Sequence, residues 1–147
     1  MSTTKSPPYF SPIIPKTINK IDLYVSIDNK VFVEIEINRE LFKDVKMRNY
    51  LYGNKLYTML LEQGEDAKTL NDKTFIQINL NVKDVNIDKG DAFIVPYDIR
   101  NKEVYIKNSI TILKYLEYYR KKFYNDSNLS NSDMWLVMLT SETFEEL

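Results

Sequence analysis

The fold turns on the stretch Ile21-Asp22-Leu23-Tyr24-Val25-Ser26-Ile27, Asp28-Asn29-Lys30, Val31-Phe32-Val33-Glu34-Ile35-Glu36-Ile37. Both flanking runs are rich in β-branched and aromatic residues. Asp28-Asn29 between them has the chemistry of a tight turn, although the usual Gly is missing. Two such runs around a short turn predict an antiparallel hairpin. Successive side chains on a strand point to opposite faces, so Val33, Ile35 and Ile37 share one face and Glu34 and Glu36 the other. Acids alternating on a strand in this way ordinarily form a solvated face.

Beyond the hairpin the period changes. From Glu40 to Gln63, the residues Leu41, Val45, Leu51 or Tyr52, Lys55-Leu56 and Met59-Leu60 recur at three- and four-residue steps. This predicts a helix closed by Gly64. Gly53 falls inside that helix, where it costs about 1 kcal/mol relative to Ala, and close approach of another element would account for it. Residues 74–82 alternate as a strand, Ala92 to Tyr97 is an apolar run of strand length, and Glu103 to Tyr115 reads as one or two strands. Between Leu116 and Tyr124 helix and strand are not separable, and Asn125 to Asn131 is a polar loop. Ser132 or Asp133 is placed to cap a final helix carrying Trp135, Leu136, Leu139 and Phe144.

Ahead of the hairpin stand Pro7, Pro8, Pro12 and Pro15. Proline fixes φ and lacks an amide donor, so residues 1–19 are expected to form an extended arm. The order β-β-α-β, then further strands and a helix, predicts an α+β domain over residues 20–147: a mixed sheet with flanking helices.

The 147 residues suit one domain with a core of its own. No apolar run approaches the roughly 20 residues that span a bilayer, and Met1 to Pro12 lacks a secretory pattern, so a cytoplasmic protein without membrane attachment is expected. The chain contains no Cys and no His. Disulfides, thiolate zinc sites, cysteine nucleophiles and histidine bases are thereby excluded. Catalysis would rest on carboxylates, Lys, Tyr, Ser or Thr, and a bound metal would take oxygen ligands, which favours Mg²⁺ or Mn²⁺. A net charge of −1 gives no global attraction to nucleic acid. A local patch at Arg120-Lys121-Lys122, with Lys114 and neighbouring tyrosines, is the candidate nucleic-acid contact, although a run of three basic residues is usually ordinary surface.

Five segments carry a resemblance. They are Val33-Glu34-Ile35-Glu36, Arg48-Asn49-Tyr50-Leu51-Tyr52, Leu61-Glu62-Gln63-Gly64-Glu65-Asp66, Phe75-Ile76-Gln77-Ile78-Asn79, and Trp135-Leu136-Val137-Met138-Leu139-Thr140-Ser141 with the tail after it. In this order, over residues 20–147, they resemble the core of the Rpn-type PD-(D/E)XK nuclease family transposases. The resemblance implies a restriction-endonuclease-like core with Asp22 and Glu34 as metal ligands and Glu36 at the position the family fills with Lys or Gln. A metal held there would polarise the scissile phosphate and generate hydroxide.

Two departures bear on activity. Glu36 adds negative charge where a phosphate must sit, although it would also serve as a third ligand, and a shorter segment precedes Asp22 than in family members. The resemblance thus implies either of two roles. One is a Mg²⁺-dependent DNA endonuclease working as a homodimer, with catalytic Asp22, Glu34 and Glu36. The other is a degenerate nuclease-fold protein of a phage or mobile element that acts by binding: an inhibitor of a nuclease or CRISPR effector (an anti-CRISPR), or an antitoxin-like partner. Arg48, Tyr50 and Tyr52 read as helix-to-sheet packing, and Trp135 as core or one half of a dimer contact.

Overall fold

The structure is a computed structural model and describes residues 23–39, 43–61, 65–83, 88–125 and 128–140. The proline-rich arm, Asp22, Leu41, Gly64 and Phe144 lie outside the described residues.

The hairpin forms as its sequence predicts. Strands β1 (Leu23–Ile27) and β2 (Val31–Asn38) pair antiparallel, with Tyr24 opposite Glu34. Asp28 and Asn29 both take positive φ, 51° and 55°, and Lys30 N donates to Ile27 O at 3.0 Å. Two left-handed central residues define the turn whose twist matches the strands, and Asp and Asn tolerate that conformation best among residues with a side chain. The turn therefore closes without glycine.

Helix α1 (Val45–Met59) then carries the chain back, and β3 (Thr74–Asn81) lies parallel to β2. Strand β7 (Ser109–Tyr115) is parallel to β3, and β4 (Asp91–Ile94) pairs antiparallel on its outer side. The result is a mixed five-stranded sheet in the order β1-β2-β3-β7-β4. The run 92–97, expected as one strand, divides at Val95-Pro96, where a proline has no amide for the ladder. Past this break, β5 (Tyr97–Asp98) and β6 (Glu103–Val104) form a separate two-stranded ladder.

The ambiguous segment after β7 is helix α2 (Leu116–Asn125), and α3 (Asn131–Met138) packs on it. The cap of α3 is Ser130, not Ser132 or Asp133; its hydroxyl accepts from Asp133 N at 3.1 Å. No described helix is long and apolar enough to cross a membrane.

The turn between β5 and β6 is organised by one carboxylate. Asp98 Oδ1 accepts from the amides of Arg100 and Asn101, at 2.9 and 3.0 Å, and Oδ2 accepts from Asn101 Nδ2 at 2.9 Å. These bonds favour the ionised form, the Asn101 amide most of all, and hold the carboxyl below its ordinary value of 3.8. A group with a lowered folded pKa contributes stability above its unfolded pKa and loses it as pH falls through the folded one. Acidification below 3.8 is therefore expected to release this turn. Relative to the intrinsic exchange rate at each pH, protection of the Arg100 and Asn101 amides should fall there in the wild type, and Asp98→Asn should remove that pH dependence of protection.

Candidate functional site

The two faces of the sheet are set by the alternation along each strand, and α1 covers the polar one. Phe32, Glu34, Glu36 and Asn38 of β2 point to α1's side, in register with Phe75, Gln77, Asn79 and Asn81 of β3. The solvated-face expectation for the acids is overturned: Glu34 is 1% exposed and Glu36 is 7%. The other face, with Val33, Ile35, Ile37, Ile76 and Ile78, is only half-buried.

The helix can cover this face because its own buried stripe is mixed. Val45, Asn49, Gly53 and Leu56 recur at spacings that put them on one side of α1. Leu56 and Leu60 meet Phe32 and Phe75 in the apolar cluster. Towards the N-terminal half of α1 the contact is polar. Gln77 Nε2 donates to Asn49 O at 2.8 Å, and a Cβ on Gly53 would stand 2.7 Å from Gln77 Oε1. The close approach anticipated at Gly53 is thus to the Gln77 side chain. Leu51, a candidate for the buried stripe, is exposed instead, because Asn49 and Gly53 occupy it.

Arg48 closes the acid strand from above. Its Nη2 donates to Asn38 Oδ1 at 3.0 Å and lies 3.8 Å from Glu36 Oε1. Asn38 Nδ2 in turn donates to Asn81 Oδ1 at 2.9 Å. A chain of polar contacts therefore runs from β2 through α1's guanidinium and back to β3. Buried polar groups need such partners, and the pairing lets a charged strand lie beneath a helix.

The other predicted site residues are elsewhere. Lys114 is in register with Leu80, which faces away from α1, so it lies on the sheet face opposite Glu34 and Glu36. Its Nζ is 2.9 Å from Asp91 Oδ2 and 5.6 Å from the centre of the Tyr119 ring. The Tyr119 hydroxyl donates to Asp91, and burial followed by that bond pushes the phenol well above its ordinary pKa. Arg120, Lys121 and Lys122 sit on α2, with Lys121 exposed and the other two half-buried. Trp135 is not core: 67% of it is exposed on α3.

A divalent-ion site requires converging oxygen ligands with net negative charge. Among the described residues no group of three acidic side chains converges, and Glu36 faces a guanidinium. Asp22, the other expected ligand beside Glu34, lies outside the described residues.

The feature that sequence reasoning missed lies beside the acids. Between α1 and the β3-β7-β4 half of the sheet is a cleft of about 310 Å³. Its floor is the amide row Gln77, Asn79 and Asn81. Its far wall is apolar, formed by Ala92, Ile94 and Leu113. The signal for the floor was present: Gln77, Asn79 and Asn81 alternate with Ile76, Ile78 and Leu80, as the acids of β2 alternate with its aliphatics. What no alternation reveals is that the two polar rows lie in register beneath one helix.

Comparison with known proteins finds no matching family model, no matching curated protein and no matching solved structure.

Proposed function

We propose that this chain is a nuclease-like domain that acts by binding a protein partner and does not cleave DNA. The resemblance to Rpn-type PD-(D/E)XK proteins rests on the five sequence segments, and a hairpin with an acid on β2, a covering helix and a parallel third strand are compatible with it. The observation that carries the binding reading is the closure of the acid strand. Glu34 and Glu36 lie beneath α1, and Arg48 reaches Asn38 and Glu36. A phosphodiester backbone cannot approach a side chain that is 1% exposed unless the helix lifts. Lys114, the strand residue of the proposed phosphate contact, is on the opposite face of the sheet.

Exposed apolar side chains supply anchors for a partner. They include Leu23 and Ile27 on edge strand β1 and Trp135 on α3. Exposed tryptophan in particular is a frequent anchor of protein interfaces. The role suited to such a domain is that of a phage or mobile-element inhibitor of a nuclease or CRISPR effector, or of an antitoxin-like partner.

A plasmid-nicking assay with Mg²⁺ and Mn²⁺ tests the choice. Wild type and Glu34→Ala, compared at equal folded concentration, are both expected to leave the plasmid intact. Metal-dependent nicking by the wild type that disappears in Glu34→Ala would instead establish an endonuclease with Glu34 in its site.

A further inference from the structure

The sheet face opposite α1 is aliphatic from edge to edge. One row runs in register across all five strands: Leu23, Ile35, Ile78, Ile112 and Phe93. Beside it, Val25, Val33, Ile76 and Ile110 form a second row over four strands. Period two produces this face as directly as the polar one, since on β2 and β3 each aliphatic alternates with a residue that points to α1.

An apolar sheet face must be buried against another layer. Helix α1 lies on the other side, and α2 meets this face at its Lys114–Asp91 end, where the Tyr119 hydroxyl donates to Asp91. Beyond that end the face remains exposed. Leu23 and Phe93, at the two ends of the first row, are 51% and 64% exposed, and Val25 and Ile27 are exposed beside Leu23 on β1. The inner members of both rows are half-buried.

Area and charge select the occupant. Strands lie about 4.8 Å apart and rise about 3.3 Å per residue, so five strands over six residues present a face of roughly 24 by 20 Å, about 500 Å² before side-chain relief is counted. A monomer rarely leaves more than a few hundred Å² of contiguous apolar surface open. Two such faces together reach the roughly 1,000 Å² of a specific interface. A two-fold axis sets a patch against itself, so a charged patch would repel its copy. Neither row carries a charge, and the neighbouring Lys114 and Asp91 neutralise each other at 2.9 Å. A flat, uncharged aliphatic face offers a foreign partner no polar group to recognise, whereas a second copy matches it in shape and composition.

We propose that this chain forms a homodimer in which the aliphatic faces of the two sheets pack on each other, about 10 Å apart, with the row from Leu23 to Phe93 at the centre. The dimer gives Leu23 and Ile27 a second copy as their partner. It goes beyond the binding reading above and holds whether the domain docks another protein or cleaves DNA.

Sedimentation equilibrium of the full chain, from micromolar to high-micromolar concentration, tests this. A closed dimer is expected, with a melting temperature that rises with concentration. Phe93→Glu and Leu23→Glu lie at exposed ends of one row, away from the cluster around Leu56. Each puts an unpaired charge into the contact and should weaken the dimer by roughly a hundredfold or more. Circular dichroism checks that these variants keep the fold, and Phe93→Leu, which keeps the apolar surface, should retain the dimer. A wild-type chain that stays monomeric throughout would overturn the proposal, as would open-ended association in place of a dimer. A dimer that survives both glutamates, or that Trp135→Ala breaks while they do not, would overturn it too. Plasmid nicking is read separately, so the dimer and the binding reading stand or fall independently.

Discussion

Leu56→Ala should lower the free energy of unfolding by about 2–5 kcal/mol. Leu56 is 1% exposed and belongs to the cluster with Phe32, Leu60 and Phe75 that holds α1 on the sheet. The rest of that contact is amide and ion pair, so the apolar end carries most of the burial. Removing the isobutyl group loses its transfer free energy and leaves a cavity that β2 and β3 cannot close without disturbing their ladder. Each kcal/mol moves the midpoint of a domain this size by roughly 2–4 °C, so the melting temperature should fall by about 5–20 °C. Circular dichroism melts and urea titrations measure it, with the denaturant slope unchanged. Leu51→Ala, on the exposed side of the same helix, is the control and should stay within about 0.5 kcal/mol. Equal effects at the two positions would mean that α1 is rotated from the orientation described.

Gly53→Ala should destabilise the chain although it improves helix propensity. In an exposed helix the change gains about 1 kcal/mol. Here the new methyl would stand 2.7 Å from Gln77 Oε1 and 2.9 Å from Gln77 Cδ. Gln77 cannot yield freely, because its Nε2 donates to Asn49 O and Thr111 Oγ1 lies 3.4 Å from its Oε1. Overpacking of about 1–3 kcal/mol and loss of a buried hydrogen bond of similar size outweigh the propensity gain of about 1 kcal/mol, for a net loss of about 1–5 kcal/mol. The decisive experiment is the double-mutant cycle with Gln77→Ala. If the glycine exists to admit that side chain, Gly53→Ala becomes neutral or stabilising once Gln77 is shortened, a coupling of at least about 1 kcal/mol. Additive effects would detach Gly53 from Gln77 and leave the glycine without a packing role.

Much of the fold could be read from local pattern. The hairpin, α1 and β3 appear where alternation and three- and four-residue recurrence put them, and the turn at Asp28-Asn29 has the geometry its residues tolerate. Errors cluster where a single residue overrides a pattern. Pro96 divides what read as one strand, and Ser130 captures the α3 cap ahead of the later candidates. Of the two readings of Trp135, core or one half of a dimer contact, its exposure on α3 removes the first.

The candidate site was less legible. Glu34 and Glu36 were identifiable as a same-face pair, yet their burial was not, because period two states that a strand has two faces and is silent on which one meets a helix. Arg48 gave no sign in sequence that it reaches Asn38 and Glu36, ten and twelve residues back along the chain (48 − 38 and 48 − 36). The amide floor of the cleft depends on a parallel register, Glu34 against Gln77 and Glu36 against Asn79, between strands separated by a whole helix. Parallel pairing is set by a crossover and not by a turn, so nothing local specifies it.

Residue order alone was thus enough to specify most of the elements, their succession and the α+β class, since these depend on short-range sterics and hydrophobic period. Three outcomes came from packing between elements: α1 lies on the polar face of the sheet, Arg48 closes the acid strand, and an amide-lined cleft opens beside it. They depend on which buried polar groups find partners across elements, and that is a property of the assembled chain.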